Sequence, residues 1–139
     1  MDESKIPILV GCGQITQREE DPNNALSPMD LTSKACFEAA KDTDIGNKIL
    51  EELDTVLVIR SFSDTSWRFT CPFGRYSNPP KSLSNRINSK NVQKYIYTHA
   101  GGNMPQWSVN KLCELISKGE IKTALIAGGE SLYTQKKAQ

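Results

Sequence analysis

The sequence predicts an α/β domain in which helices cover both faces of a mostly parallel sheet of about four strands. Short apolar runs alternate along the chain with segments of helical periodicity, and this alternation is typical of parallel α/β sheets. The runs are continuous rather than alternating in polarity, as expected of strands that are buried on both faces. Two of them end at glycine pairs, Gly101–Gly102 and Gly128–Gly129, which favour sharp turns at strand ends.

The first half of the chain predicts two strands that flank a capped helix. Residues 6–13, "IPILVGCG", predict a buried central strand, because they form a β-branched run punctuated by glycines. Residues 27–41 predict a helix that Ser27 caps, with a proline in the first turn and a stripe of small residues on one face. A short helix over 47–53 and a second buried strand over 54–61 follow.

The second half predicts a long loop, two strands and one amphipathic helix. Residues 61–80 have no periodicity and contain five aromatic side chains, which indicates a functional or interface loop. A third strand is expected over 90–100, and a helix begins at Asn103 and ends where Gly119 adopts the left-handed conformation. The remaining predictions are a helical turn over 81–87, a fourth strand over 122–131 and a frayed tail over 132–139.

The composition argues against several classes of function. The 139 residues are expected to form one domain, 1–139, and their net charge of +1 gives no sign of a nucleic-acid-binding surface. The apolar run near the N-terminus is five residues long, too short for a signal sequence or a membrane span, so a cytoplasmic or organelle-matrix protein is expected. One histidine and four dispersed cysteines predict no metal site.

Two glycine-containing turns are candidate binding motifs. The first, "GCGQIT", has two glycines of a dinucleotide-binding fingerprint, but Thr16 occupies the third position and no helix begins there, so we interpret it as a tight strand exit. The second, "GGNMPQ", places a good N-cap residue, Asn103, before Pro105 in the first helical turn. An ordinary β-to-α turn needs the same residues, and the neighbouring His99 is a candidate base with the same structural alternative.

The four cysteines are candidate nucleophiles, and their positions argue against most of them. Cys36 and Cys113 fall on the packed faces of predicted helices, where burial raises the pKa of a thiol and makes it inert. Cys12 ends the predicted buried strand. Only Cys71, in the aromatic loop, is therefore expected to be exposed.

The aromatic loop also interleaves its rings with Arg68 and Arg75, a pattern found on platforms that bind single-stranded nucleic acid. Two arginines in a chain of nearly balanced charge are weak support for that function. We prefer to interpret the loop as a pocket lining or a subunit interface.

Six segments, taken in order, carry a family resemblance. They are "IPILVGCGQITQR", "SPMDLTSKACFEAAK", "DTVLVIRSFS", "NPPKSLSNRI", "YTHAGGNMPQWSVNKL" and "GEIKTALIAGGES". Together they resemble the N-terminal part of the thiolase superfamily, and most closely acetyl-CoA acetyltransferase-like proteins related to the sterol-carrier thiolases. The resemblance implies a layered sheet of strand order 3-2-1-4 and an incomplete, truncated N-terminal half, because a fifth strand would follow "GGES".

The resemblance also implies where a nucleophile would stand. Thiolases carry a reactive cysteine at the start of the helix after the third strand, where the helix dipole lowers the thiol pKa and backbone amides form an oxyanion hole. That position corresponds to Gly102 here, or to Gly101 if the alignment shifts by one residue. The resemblance thus implies no certain catalytic residue, with His99 and Asn103 as nearby candidates and Gly101, Gly102 and Asn103 as contacts to a thioester oxygen.

The implied function is that of an acyl-CoA-handling protein, nominally an acetyltransferase that moves acyl groups between coenzyme A thioesters. This chain alone is expected to be inactive, because the other catalytic groups of the family lie in a C-terminal half that these segments do not include. A coenzyme A thioester is the expected substrate, with no permanently bound cofactor, and a homodimer through the strand over 93–99 and the loop over 61–80 is implied. The alternative is a non-catalytic module that binds acyl-CoA or lipid or serves dimerisation.

Overall fold

The computed structural model describes residues 2–66 and 72–138, and within them helices pack on both faces of a three-stranded parallel sheet. The strands are β1 (Thr55–Val58), β2 (Lys94–Tyr97) and β3 (Ala124–Ala127), in the order β2-β1-β3. The helices are α1 (Pro28–Lys41), α2 (Pro79–Arg86), α3 (Met104–Ser117) and α4 (Leu132–Lys137). Turns of 3₁₀ helix cover Glu3–Lys5, Pro22–Asn24, Gly46–Glu51 and Phe62–Asp64.

The central strand β1 divides the core into two layers. Val56 and Val58 belong to a cluster with buried side chains of α1 and α2, whereas Leu57, which points to the opposite face, packs with Leu112 and Leu115 of α3. All four residues of β1 are buried. This arrangement confirms the predicted α/β class, because a strand that is apolar at every position needs a helical layer on each side.

The helix α1 forms where the sequence predicts it. The Ser27 hydroxyl oxygen accepts a hydrogen bond from the Asp30 amide at 3.1 Å, and the Ser27 hydroxyl donates to the Asp30 carboxylate at 2.6 Å. Met29, Cys36 and Ala40 lie on the buried face of the helix. The small residues on this face allow α1 to lie close to its neighbours.

The helix α3 also follows its sequence pattern, including its end. Gly119 has a φ of +72°, its amide donates to the Ile116 carbonyl at 2.8 Å, and the Glu120 amide donates to the Leu115 carbonyl at 3.0 Å. A left-handed glycine with these two bonds closes a helix by satisfying its last carbonyls. The predicted apolar face is only partly covered, because Val109 remains 45% exposed.

The first predicted strand, residues 6–13, is not part of the sheet, and β1 pairs directly with β3. The predicted order 3-2-1-4 with four strands is therefore replaced by three strands, in which the second predicted strand lies between the third and the fourth. The reason is that this segment packs against α1 instead of a strand. Gly11 and Gly13 approach the α1 backbone so closely that a Cβ on Gly13 would lie 2.3 Å from the amide nitrogen of Ala39.

Other predicted elements differ in detail. Residues 132–139, expected to be a frayed tail, contain α4, in which Gln135 is buried and Lys137 pairs with Glu20. The turn predicted over 81–87 is the end of the longer helix α2, and the helix predicted over 47–53 is the 3₁₀ turn at Gly46–Glu51. Within the aromatic loop over 61–80, Arg68 and Cys71 lie outside the described residues.

Candidate functional site

The candidate site lies at the edge of the sheet where all three parallel strands end. The turns that follow β2 and β3, 98–103 and 128–131, carry the two glycine pairs, and α3 begins at the same edge. A cleft of about 310 Å³ at this edge lies beside the turn after β3 and is lined by Ile59, Arg60, Pro105 and residues 126–130. The carboxyl edge of a parallel sheet is where open α/β proteins bind ligands, because helix N-termini and loops converge there.

Thr98, the residue after β2, forms hydrogen bonds to the end of β1 and to the residues that follow it. Its amide donates to the Val58 carbonyl at 3.1 Å, its hydroxyl donates to the His99 carbonyl at 2.7 Å, and its hydroxyl oxygen accepts from the Arg60 amide at 3.2 Å. Thr98 is buried, whereas His99 is exposed. The turn that leads to α3 is therefore held at its base by Thr98, while His99 takes part through its carbonyl and remains exposed.

The N-terminus of α3 is open. The Met104 amide donates to the Gly101 carbonyl at 3.0 Å, but the amides of Gly102 and Asn103 have no hydrogen-bond partner in the part of the chain described. Asn103 occupies the predicted N-cap position, yet its side chain makes no capping bond and its backbone is helical, with φ −85° and ψ −12°. Two exposed amides therefore lie at the positive end of the helix dipole.

The two glycines of this turn differ in the space around them. A Cβ on Gly102 would meet no heavy atom within 4 Å, whereas a Cβ on Gly101 would lie 2.8 Å from Asn103 Oδ1. Gly102 is also outside the left-handed region of φ. A side chain at Gly102 would therefore fit without steric strain. Glycine itself supplies no functional group at this position.

A polar network supports the exit of β1 beside the cleft. The Tyr97 hydroxyl donates to Asp64 Oδ2 at 2.7 Å, and Arg60 donates to the Asp64 carbonyl at 2.8 Å while its guanidinium lies 5.8 Å from the Tyr97 ring centre. Burial, reinforced by the Asp64 carboxylate, raises the pKa of the Tyr97 phenol above its usual range. The Glu130 carboxylate accepts from the Phe62 amide. The side chains of Tyr97, Asp64, Arg60 and Glu130 therefore hold these loops together through hydrogen bonds. We interpret their role as structural.

No local sequence pattern predicts this network, because its members are far apart along the chain. Tyr97 and Asp64 are 33 residues apart, and Glu130 and Phe62 are 68 residues apart. Only the parallel pairing of the strands brings them to one edge.

The described cysteines do not supply the missing nucleophile. Cys36 is buried, as predicted, and burial raises the pKa of its thiol to about 12. Cys113 is partly buried in the middle of α3. Cys12 is exposed, contrary to the prediction, because residues 6–13 lie outside the sheet. None of these three stands at the start of α3.

Clusters of metal ligands and membrane-spanning helices are two further features that could indicate a function. Within residues 2–66 and 72–138 no group of three or more His, Cys, Asp or Glu side chains is placed to hold a metal ion. The helices of the same ranges are too short or too polar to cross a membrane.

The chain matches a known protein by structure but matches no family model and no curated protein by sequence. Among solved structures, the crystal structure of a monomeric SCP2-thiolase-like protein type 1 from Mycobacterium smegmatis matches with a TM-score of 0.75 and 25% identity. The match covers 94% of this chain and 25% of that one, so this chain spans about a quarter of its length. The thiolase resemblance is thereby confirmed at the level of fold: the chain is similar in structure to an SCP2-thiolase-like protein.

Proposed function

We propose that this chain is a thiolase-like module that binds acyl-CoA and holds the thioester carbonyl oxygen at the open N-terminus of α3 without attacking it. The observation that carries the proposal is the pair of unpartnered amides at Gly102 and Asn103, in a position where Gly102 supplies no nucleophile. Backbone donors at a helix N-terminus favour a carbonyl oxygen that accumulates negative charge. The fold relationship supports acyl-CoA as the ligand class.

The same site argues against thiol-dependent acetyl transfer by this chain. Covalent acyl transfer of this type needs a thiolate, and thiols are activated by a lowered pKa. Cys36 has the opposite shift, and Cys113 lies in the middle of α3 rather than at its start. We therefore assign the chain a binding role, with acetyltransferase activity as the nominal family function, and coenzyme A thioesters as transient ligands rather than permanent cofactors.

A homodimer through the outer edge of β2 is a separate part of the proposal. β2 pairs with β1 on one side, and its four residues are only partly buried. An edge strand can pair with the same strand of a second copy. The related structure from Mycobacterium smegmatis is described as monomeric, so sedimentation velocity of this chain is the direct test. A single monomeric species at micromolar concentration would remove this part and leave the ligand proposal intact.

The ligand proposal is tested by calorimetric titration with acetyl-CoA, free CoA and S-ethyl-CoA. S-ethyl-CoA has the same nucleotide and a similar tail but lacks the carbonyl oxygen. We expect acetyl-CoA to bind about fivefold to tenfold more tightly than S-ethyl-CoA, because one or two net hydrogen bonds are lost. Equal affinities would contradict a contact with the oxygen, and no binding of any of the three would overturn acyl-CoA as the ligand.

A matched pair of variants assigns that contact to the backbone. Asn103→Pro and Asn103→Ala both remove the side chain, but only proline removes the amide donor, and proline is tolerated at the start of a helix. We expect Asn103→Pro to weaken acetyl-CoA binding about fivefold and Asn103→Ala to leave it unchanged. Equal weakening by both variants would assign the contact to the side chain instead.

A turnover assay separates the binder from an enzyme. We expect no thiol-dependent cleavage of acetoacetyl-CoA with CoA, since the position that should carry the thiolate is Gly102. Turnover that alkylation of all cysteines abolishes would show that another thiol acts and would overturn the non-catalytic assignment.

A further inference from the structure

Two tyrosines of β2 face the same side of the sheet. Tyr95 and Tyr97 both pack against the core cluster beneath α1 and α2, because side chains at alternate positions of a strand share a face. Each residue is partly buried, and each hydroxyl contacts a charged side chain. The charges of the two partners are opposite, so the two phenols differ in their chemistry.

The Tyr97 hydroxyl retains its proton. It donates to Asp64 Oδ2 at 2.7 Å, and burial, reinforced by the Asp64 carboxylate, raises the pKa of the phenol. A carboxylate that accepts this proton stabilises the neutral phenol and repels the phenolate. Tyr97 is therefore a poor nucleophile at neutral pH, because the phenolate is the reactive form.

The Tyr95 hydroxyl, by contrast, accepts a hydrogen bond. Lys81 Nζ donates to it at 3.0 Å and lies 5.1 Å from the centre of the Tyr95 ring. An ammonium group has donors only, so the phenolic oxygen is the acceptor and its own proton is not used in this contact. Burial acts to raise the pKa of this phenol, but hydrogen bonds with Lys81 and Ser84 and the positive charge of Lys81 lower it overall.

Lys81 directs its charge at Tyr95 rather than at a carboxylate. It lies in the first turn of α2, where its amide donates to Asn78 Oδ1 at 3.1 Å. Within residues 2–66 and 72–138, no Asp or Glu side chain forms an ion pair with Lys81. The Tyr95 oxygen is therefore the group that this ammonium stabilises when the phenol loses its proton.

The cations beside the other two tyrosines are already paired. Arg86 donates to the Tyr76 hydroxyl at 2.9 Å but also forms an ion pair with Asp30 at 3.0 Å. Tyr133 lies beside Lys137, which also has a carboxylate partner. A cation that is paired with a carboxylate stabilises a phenolate less than an unpaired one.

The remaining neighbours of Tyr95 bring no opposing charge. Its partner in β1 is Val56, and the nearby Ser84 of α2 is uncharged and fully buried. Lys94 precedes Tyr95 and therefore points to the opposite face of the sheet, where a carboxylate pairs with it. In the described part of the chain, Lys81 is thus the charged group that sets the reactivity of Tyr95.

We propose that Tyr95 is a phosphoryl-acceptor site, at which the phenolic oxygen attacks the phosphorus atom of an activated phosphoryl donor. The new bond joins Tyr95 Oη to phosphorus, the leaving group departs with the electrons of its bond to phosphorus, and the phenolic proton passes to solvent. Where the product is a phosphate monoester, its negative charge lies next to the Lys81 ammonium, which stabilises the modified chain. This inference goes beyond the proposed function, because it needs neither acyl-CoA nor a homodimer.

The probe is diisopropyl fluorophosphate, an uncharged phosphoryl donor whose leaving group is fluoride. The full chain is treated at a series of pH values, and peptide mass spectrometry measures the label on each of the four tyrosines. We expect Tyr95 to react at least about tenfold faster than Tyr97 near neutral pH, because the two pKa values are shifted in opposite directions. The rate at Tyr95 should rise with pH through a midpoint below that of N-acetyltyrosinamide in the same solution.

Variants at position 81 separate an effect of charge from a structural effect. Lys81→Met removes the ammonium but keeps an unbranched side chain, and should lower the rate at Tyr95 at least about fivefold and raise its midpoint to that of the reference compound. Lys81→Arg keeps the positive charge, so the rate should stay within about threefold of the original. Lys136→Met, which removes an exposed charge from α4, is the control and should leave the rate unchanged. Circular dichroism verifies that each variant folds.

Several outcomes would overturn the proposal. Equal labelling of Tyr95 and Tyr97, or a midpoint equal to that of N-acetyltyrosinamide, would show that Lys81 does not activate the phenol. A label on Lys81 itself would make the amine the nucleophile. An unchanged rate in Lys81→Met would leave the hydrogen bond with a structural role only. No acyl-CoA is present in these reactions, so their failure is distinguishable from a failure of the proposed function.

Discussion

The two long helices, α1 and α3, have the same length of 14 residues and each carries a proline in its first turn, yet their N-termini are built differently. At α1 the Ser27 hydroxyl oxygen accepts from the Asp30 amide, and the Asp30 carboxylate also pairs with Arg86 at 3.0 Å. At α3 the corresponding residue, Asn103, makes no side-chain cap. One N-terminus is closed by the chain, and the other is left to solvent or a ligand.

The difference arises from the backbone of the cap residue. Ser27 is extended, with φ −62° and ψ 156°, which turns its hydroxyl toward the amides of the first turn. Asn103 is helical, with φ −85° and ψ −12°, so its side chain cannot reach those amides in the same way. A suitable residue type at the N-cap is therefore not sufficient for a cap, because the backbone conformation of that residue must also direct its side chain toward the first turn.

The largest expected effect tests how tightly the chain packs against α1, compared with the start of α3. Gly13→Ala should lower the free energy of unfolding by about 2–3 kcal/mol, because its Cβ would lie 2.3 Å from the Ala39 nitrogen and 2.7 Å from the Ala35 carbonyl oxygen. Gly102→Ala is the matched control and should change it by less than about 0.5 kcal/mol. Urea unfolding followed by circular dichroism measures both. Equal losses would mean that the start of α3 is as tightly packed as the α1 surface.

The next effect compares the two caps directly. Ser27→Ala should lower the free energy of unfolding by about 1 kcal/mol, because an amide at the start of α1 loses its partner. Asn103→Ala should leave it within about 0.3 kcal/mol, since no capping bond exists to be lost. The same urea experiment distinguishes them. A loss at Asn103 that matches the loss at Ser27 would show that α3 is capped in solution.

The free energy of unfolding should depend on pH through Asp30 at the capped N-terminus of α1. The hydrogen bond from Ser27, and then the ion pair with Arg86, lower the pKa of Asp30. The unfolded chain therefore takes up this proton first as the pH falls. The stabilisation is present above the unfolded pKa, about 3.9, and disappears as the pH falls through the lower folded value. Asp30→Asn should flatten the loss of stability between about pH 5 and pH 2, which urea unfolding at a series of pH values measures.

The smallest effect on stability tests the open N-terminus chemically. Gly102→Cys should fold normally, because a Cβ there meets nothing within 4 Å, and its thiol pKa should lie below the usual value of about 8.5. The rate of iodoacetamide alkylation as a function of pH measures it, with Cys12, Cys71 and Cys113 replaced by serine to remove competing thiols. A thiol that titrates no lower than free cysteine would contradict the assignment of Gly102 as the nucleophile's position.

The sequence was sufficient to predict the elements whose signals are local. The cap of α1 and the apolar stripes of α1 and α3 depend on residues close together in the chain, and the left-handed turn at Gly119 needs one residue type. The strands β1, β2 and β3 fall inside the predicted apolar runs. Parallel pairing followed from the helices between them.

The predictions that failed depended on partners distant in the chain. Residues 6–13 have a strand-like pattern, but a strand exists only where a neighbour bonds its backbone, and the glycines of this segment pack on α1 instead. The sequence likewise placed Gly102 at a turn without revealing that its amide is unpartnered. The hydrogen bond between Tyr97 and Asp64 joins residues that are 33 positions apart, and no local sequence pattern predicts such a contact.

At the carboxyl edge of the sheet, the exposed groups near Gly102 are main-chain amides rather than side chains. Where a ligand is gripped by main-chain amides, ordinary substitution leaves the grip in place, since every residue except proline retains the donor. A thiol or another reactive group, by contrast, resides in a side chain, and Gly102 has none. A substitution that adds a side chain at Gly102 should therefore leave the amide donors of this edge in place.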